Sequence, residues 1–99
     1  MSEKITIYIP AYNAEKTIEQ SIISIKNQTY EVDEIIIIDD NSSDKTHEII
    51  NQYKDIILIK NQKNMGLSFS RNLAIKKSSN EIVGAIDSDV ALDKYWLEI

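Results

Sequence analysis

The chain has 99 residues, 42% of them hydrophobic, which allows one small domain spanning 1–99 with a core of modest stability. A net charge of −5 argues against a nucleic-acid surface built on phosphate neutralisation, and a polyphosphate would have to arrive with a metal. There is no cysteine, so a disulfide framework and a thiolate zinc site are excluded.

Met1-Ser2-Glu3-Lys4 holds no long apolar run of the kind a signal peptide or membrane span needs, and the chain reads as cytoplasmic. Ile5-Thr6-Ile7-Tyr8-Ile9 then alternates with period two and predicts a strand. Ile18, Ile22 and Ile25 recur at helical spacing between Ala14 and Gln28. Gln28-Thr29-Tyr30 is expected to end that helix and pack the next loop. Glu34 to Asp39 is a continuous β-branched run, typical of a central strand covered on both faces. A second helix is predicted from Asp44 to Tyr53, capped by Ser42 or Ser43, with Asp44 near its positive end and His47 on its solvated surface. Ile56 to Ile59 predicts a third strand. Gly66 to Lys77 predicts a third helix, with Leu67, Phe69, Leu73 and Ala74 as its apolar residues and Lys76 and Lys77 near its negative end. The fourth strand runs from Glu81 to Ile86 and leads into Asp87-Ser88-Asp89; the later Tyr95-Trp96-Leu97 is expected to anchor the chain on the sheet.

Alternating strands and helices imply right-handed crossovers. The expected fold is α/β, a three-layer α/β/α Rossmann-like sandwich on a mainly parallel four-stranded sheet. Every polar cluster follows a strand, and in a parallel sheet those strand ends share the edge where ligands bind. In an extended segment Asp87 and Asp89 would point the same way and reach one hard cation, Mg2+ or Mn2+, whose shell substrate phosphates commonly complete. The only glycines are Gly66 and Gly84, so neither a dinucleotide fingerprint nor a Walker loop is present. Arg71, the sole arginine, sits near the start of the third helix, where an anion is favoured.

Taken together, the segments Ile7 to Asn13, Ser24 to Tyr30, Glu34 to Asp44, Asn64-Met65-Gly66 with Ser70-Arg71-Asn72, and Asp87-Ser88-Asp89 resemble the nucleotide-binding half of a family 2 glycosyltransferase with the GT-A fold. They span nearly the whole chain in the family's order. The resemblance implies that Pro10, Tyr12 and Asp40 line the nucleobase and ribose pocket, with Asp39 beside them either contacting ligand or fixing the turn. It implies that Asp40 accepts from a uracil imide, favouring UDP-sugars, and that Arg71 faces the diphosphate. Asp89 matches the principal metal ligand, and Asp87 matches an acidic residue that contacts the sugar nucleotide and supports the metal.

The implied reaction is inverting transfer of a sugar to the hydroxyl of a glycan or other acceptor. The family's catalytic base lies in a later segment, so no catalytic residue is expected within 1–99, and the chain is expected to be an inactive donor-binding fragment. A catalytically silent nucleotide-sugar-binding module is the alternative. Further expectations are self-association through the sheet edge near Ile82, Val83 and Ile86, and peripheral membrane attachment as an option for a longer protein. A haloacid-dehalogenase-type phosphatase is disfavoured because its Asp-x-Asp would open the chain, and a signalling receiver domain because the first strand ends in Pro10-Ala11-Tyr12-Asn13.

Overall fold

The structure, a computed structural model, describes residues 3–98. Four strands alternate with three helices: β1 (Ile5–Ala11), α1 (Ile18–Lys26), β2 (Glu34–Asp39), α2 (Thr46–Ile50), β3 (Ile57–Lys60), α3 (Leu67–Lys77) and β4 (Ile82–Ala85), followed by a 3-10 turn (Trp96–Glu98). The strands form one parallel sheet in the order β3-β2-β1-β4. Both β1 and β2 are interior, which explains why Ile35 to Ile38 are all buried.

Side-chain parity divides the core into two layers. Ile7, Ile9, Ala11, Ile35 and Ile37 face α1 and α2, where Ile18, Ile22, Ile25 and Ile50 are buried against them. Tyr8, Ile36 and Ile38 face the other way, onto Ala74 of α3. The α/β/α sandwich therefore follows from period two in the strands set against helical spacing in α1.

Two positions in the sheet carry special residues. A Cβ on Gly84 would lie 2.9 Å from Ile7 Cδ1, so with glycine there the Ile7 side chain keeps its place, and any larger residue makes it shift. Pro10 sits in an interior strand, which is unusual for a residue without an N–H. The Ile86 N–H donates to the Tyr8 carbonyl, so the backbone groups of Tyr8 and Pro10 turn toward β4. Since β4 ends at Ala85, level with Tyr8, no ladder bond is lost at Pro10.

Several local expectations are corrected. Helix α1 begins at Ile18 after a turn over 15–17, and the N–H groups of Ala14 and Glu15 before it are satisfied from the next crossover, by Thr46 Oγ1 (2.7 Å) and Asp44 Oδ2 (3.2 Å). Neither Ser42 nor Ser43 caps α2; Asp44 Oδ1 accepts from the Thr46 N–H and hydroxyl instead. On α3 the buried residues are Ser70 and Ala74, while Leu67 is 74% and Phe69 42% exposed. Of the expected anchor Tyr95-Trp96-Leu97, Leu97 packs against the core while Tyr95 and Trp96 are exposed. That segment is held by Gln28, whose Nε2 donates to the Asp93 carbonyl (2.7 Å) and whose Oε1 accepts from the Leu97 N–H (3.1 Å). Among the described residues no helix is long and apolar enough to cross a membrane.

Candidate functional site

The carboxyl ends of all four strands share one edge of the sheet. Chain order runs from β1 outward to β2 and β3, then returns to place β4 on the opposite side of β1, which makes the β1–β4 boundary the switch point where a crevice opens.

The loops after β1 and β2 are clasped to each other. Asn13 N–H donates to Ser42 Oγ (2.9 Å), and Asn13 Oδ1 accepts from the Ser43 N–H (2.8 Å). Asn13 and Asn41 have φ of 48° and 61°, a left-handed conformation that asparagine tolerates better than most residues. Tyr12, at the apex, is half-exposed.

Asp39 and Asp40 part company at the end of β2. Asp39 keeps the parity of Ile35 and Ile37 and is fully buried, with Oδ1 accepting from the Ser42 N–H (3.0 Å) and Oδ2 lying 3.4 Å from His47 Nδ1 of α2. Its carboxylate thus serves the turn, and His47 is partly covered rather than fully solvated. Asp40 turns to the α3 side. Its Oδ1 accepts from Asn61 Nδ2 (2.9 Å) and the Met65 N–H (2.8 Å), its Oδ2 from the Gly66 N–H (3.1 Å), and its carbonyl from Asn64 Nδ2 (2.7 Å). Burial disfavours its charge, but those donors outweigh burial and hold its pKa below the ordinary carboxylate value. One side chain thereby shapes the loop that launches α3, with Gly66 at φ 89° as its last residue.

The Asp87-Ser88-Asp89 segment differs from the extended form expected. Beyond β4 the chain turns, the Val90 N–H donating to the Asp87 carbonyl at 3.3 Å, so strand alternation does not set these side chains. Two hydroxyls of the α1 side fix the turn: Thr17 Oγ1 (3.0 Å) and the buried Ser21 Oγ (3.1 Å) both donate to the Ser88 carbonyl. Asp87 and Asp89 nonetheless share one hollow.

Three adjoining hollows make up the crevice, and Pro10 and Leu67 border all of them. The first, about 270 Å3, is lined also by Tyr12, Asp40, Gly66 and Ser70. The second, about 230 Å3, is lined by Tyr8, Arg71 and Asp87. The third, about 410 Å3, holds Tyr12, Thr17, Asp87 and Asp89. Burial pushes the Tyr8 hydroxyl pKa up, opposed by the positive field of Arg71 and reinforced by Asp87, which places both charges around the second hollow.

Among the described residues neither Asp87 nor Asp89 is in an ion pair, and no three acidic or histidine side chains are grouped so that they could hold a metal ion by themselves. Two exposed carboxylates suit a hard cation that takes its other oxygens from water and phosphate, not a closed protein cage. The donor set fits Mg2+ or Mn2+. Of the residues expected at the site, Pro10, Tyr12, Asp40, Arg71, Asp87 and Asp89 border the crevice, whereas the Asp39 side chain is buried behind it. Sequence reading missed Thr17 and Ser21. They stand four apart, and a hydroxyl inside the apolar stripe of α1 was the available signal.

The chain matches the family model described as glycosyl transferase family 2 over residues 6–99. It is 42% identical over 97 residues to the Escherichia coli UDP-Glc:alpha-D-GlcNAc-diphosphoundecaprenol beta-1,3-glucosyltransferase WfaP, covering 96% of this chain and 37% of that protein. In structure it is similar to S. aureus TarS 1-349 in complex with UDP-GlcNAc, with TM-score 0.87, 30% identity, and coverage of 96% of this chain and 29% of that one. It also resembles the mannosyltransferase PcManGT of Pyrobaculum calidifontis in complex with GDP-Man and Mn2+, with TM-score 0.81, 26% identity, and coverage of 90% and 28%. The chain thus spans little more than a third of that curated relative and under a third of those two solved chains.

Proposed function

This chain belongs to glycosyl transferase family 2, and from that premise we propose that it is the donor-binding part of a glycosyltransferase, taking a nucleoside-diphosphate sugar, with UDP as its nucleotide, alongside Mg2+ or Mn2+. The observation that carries this reading is the convergence of Tyr12, Asp40, Arg71, Asp87 and Asp89, from four separate segments, on adjoining hollows at one sheet edge. UDP is favoured by the names of the glucosyltransferase WfaP and of the TarS complex; the GDP-Man complex of PcManGT makes guanine the competing base.

The reaction proposed is attack of an acceptor hydroxyl at the anomeric carbon, with inversion and departure of the nucleoside diphosphate. Tyr12 and Asp40 hold the base in the first hollow, and Arg71 sets a fixed guanidinium on the diphosphate in the second. Asp87 and Asp89 hold the cation. When bound, Mg2+ or Mn2+ offsets the charge that builds on the leaving diphosphate. Without it a chain of net charge −5 repels that diphosphate. Removal of the acceptor's proton is assigned to the part of the relatives' length that this chain does not span.

Titration calorimetry with UDP and GDP, with and without Mn2+, tests the proposal. UDP should bind more tightly with the metal and more tightly than GDP, and Asp89→Ala should abolish the metal's effect. UDP binding that ignores both Mn2+ and Asp89→Ala removes the metal assignment, and a preference for GDP removes the uracil assignment.

A further inference from the structure

Leu67 is the anomaly of the crevice. It lies three and seven residues before Ser70 and Ala74, on the same face of α3, and both of those are buried against the sheet while Leu67 is 74% exposed. Leu67 opens α3 directly after Gly66 and stays exposed where Ser70 and Ala74 are covered, bordering all three hollows together with Pro10. Single exposed aliphatic side chains are ordinary, and Ile23 and Ile75 are others, so exposure alone gives Leu67 no role; a role has to come from what surrounds it.

Its position indicates that role. Leu67 and Pro10 stand between the hollow with Tyr12 and Asp40 and the hollow with Arg71, and border both. Any ligand with an aromatic base in the first and phosphates in the second must pass its connecting group between these two side chains, and in a nucleotide that group is the ribose. We propose that Leu67 is a specificity-determining residue of the donor site, packing with Pro10 on the ribose ring. This inference rests on the donor reading above. Leu67 then selects for a nucleoside over a bare diphosphate, through apolar contact alone, while Arg71 and the metal serve any diphosphate equally.

The test uses UDP and inorganic pyrophosphate, each with Mn2+, on the wild-type chain, Leu67→Ala and Leu67→Met. Leu67→Ala should weaken UDP about five- to tenfold, the loss expected for part of one leucine's burial, and leave pyrophosphate unchanged; Leu67→Met should stay close to wild type. Because Leu67 is exposed, the thermal midpoint of Leu67→Ala should hold, so a binding loss is not a folding loss. A second readout is independent of affinity: with leucine methyls labelled, the UDP-bound chain should show a nuclear Overhauser contact between Leu67 and the ribose H1′. UDP affinity unchanged in Leu67→Ala, an equal loss for pyrophosphate, or no such contact in the UDP-bound chain overturns the inference while leaving the donor reading intact. A wild-type chain that takes no UDP overturns the donor reading and this inference with it.

Discussion

The buried hydroxyl of Ser21 donates to the backbone carbonyl of Ser88 at 3.1 Å, joining α1 to the turn between Asp87 and Asp89 across 67 residues of sequence. Thr17 makes the same bond from one helical turn earlier, at 3.0 Å. The carboxylates themselves are exposed, so the hydroxyls under them, with the core packing of Ile86 and Val90 on either side, set where the two acidic groups stand.

Removing these hydroxyls should therefore affect metal response more than nucleotide affinity. Ser21→Ala leaves Thr17 in place and should cost about 0.5–1.5 kcal/mol of stability. Thr17→Val with Ser21→Ala leaves the Ser88 carbonyl without either donor, should cost about 1–3 kcal/mol, and should shrink the gain in UDP affinity on adding Mn2+. Urea unfolding and calorimetry measure the two effects. A double variant whose Mn2+ response equals wild type would show that the turn holds its shape alone.

The contact between Gly84 and Ile7 makes a prediction that depends on sign. Gly84→Ala puts a methyl 2.9 Å from Ile7 Cδ1 and should destabilise by about 1–3 kcal/mol, the usual range for overpacking. Ile7→Val removes that Cδ1 and should alone cost about 0.5–1.5 kcal/mol. Combined, the two should destabilise by less than their sum, since each relieves the other's defect. Strict additivity in a double-mutant cycle would mean that the sheet shifts to accept the alanine.

Acid should loosen the loop before α3. Asp40, Asp44 and Glu34 all have their pKa lowered in the folded chain: burial opposes ionisation in each, and the donors of Asn61, Met65 and Gly66, of Thr46 and Glu15, and of Ser79 and Thr6 respectively outweigh it. A depressed folded value stabilises above the unfolded pKa, ordinarily 3.8 for aspartate and 4.5 for glutamate, and that contribution is lost as pH falls through the folded values. Thermal midpoints should be flat near neutrality and fall below about pH 4. Asp40→Asn should lower the midpoint at pH 7, because an amide turns donors toward the Met65 and Gly66 N–H groups, and should make the acid fall shallower. An acid limb as steep in Asp40→Asn as in wild type would place the linkage elsewhere.

Much of this was legible in the residues, for reasons that also explain what was not. The Ile35 to Ile38 run and the Ile18, Ile22, Ile25 stripe report burial directly, and they sufficed for element order and layering. Asp39 and Asp40 differ by parity alone, and parity says that they oppose each other, not which one is buried beside α2 and which one borders the crevice. For Leu67 the spacing was right and the cover was missing, because periodicity contains no term for what lies opposite a helix face. The start of α1 was not legible because the segment before it is held by Asp44 and Thr46, about thirty residues away. Alternation failed at Asp87 because β4 had already ended at Ala85.

Gln28 offers the last prediction, and it links the terminal segment to the site. The side chain is buried and uses both ends of its amide: Nε2 donates to the Ser24 carbonyl (3.2 Å) and the Asp93 carbonyl (2.7 Å), and Oε1 accepts from Leu97. The neighbouring Thr29 N–H adds a bond to the Lys94 carbonyl at 2.9 Å. Gln28→Met matches the volume and drops all three side-chain bonds, so it should cost about 1–3 kcal/mol. Gln28→Glu keeps the acceptor for Leu97 but sets a carboxylate against two carbonyl oxygens, and should cost more. Hydrogen exchange should quicken at the Leu97 and Thr29 amides in both variants, with Ile36 and Ile37 in the central strand least affected. Since 93–97 follow the Asp87–Asp89 turn after only Val90-Ala91-Leu92, a freed segment should also weaken the Mn2+-dependent part of UDP binding. Unchanged exchange at Leu97 in Gln28→Met would show that its apolar contact with the core, and not the amide, holds the segment down.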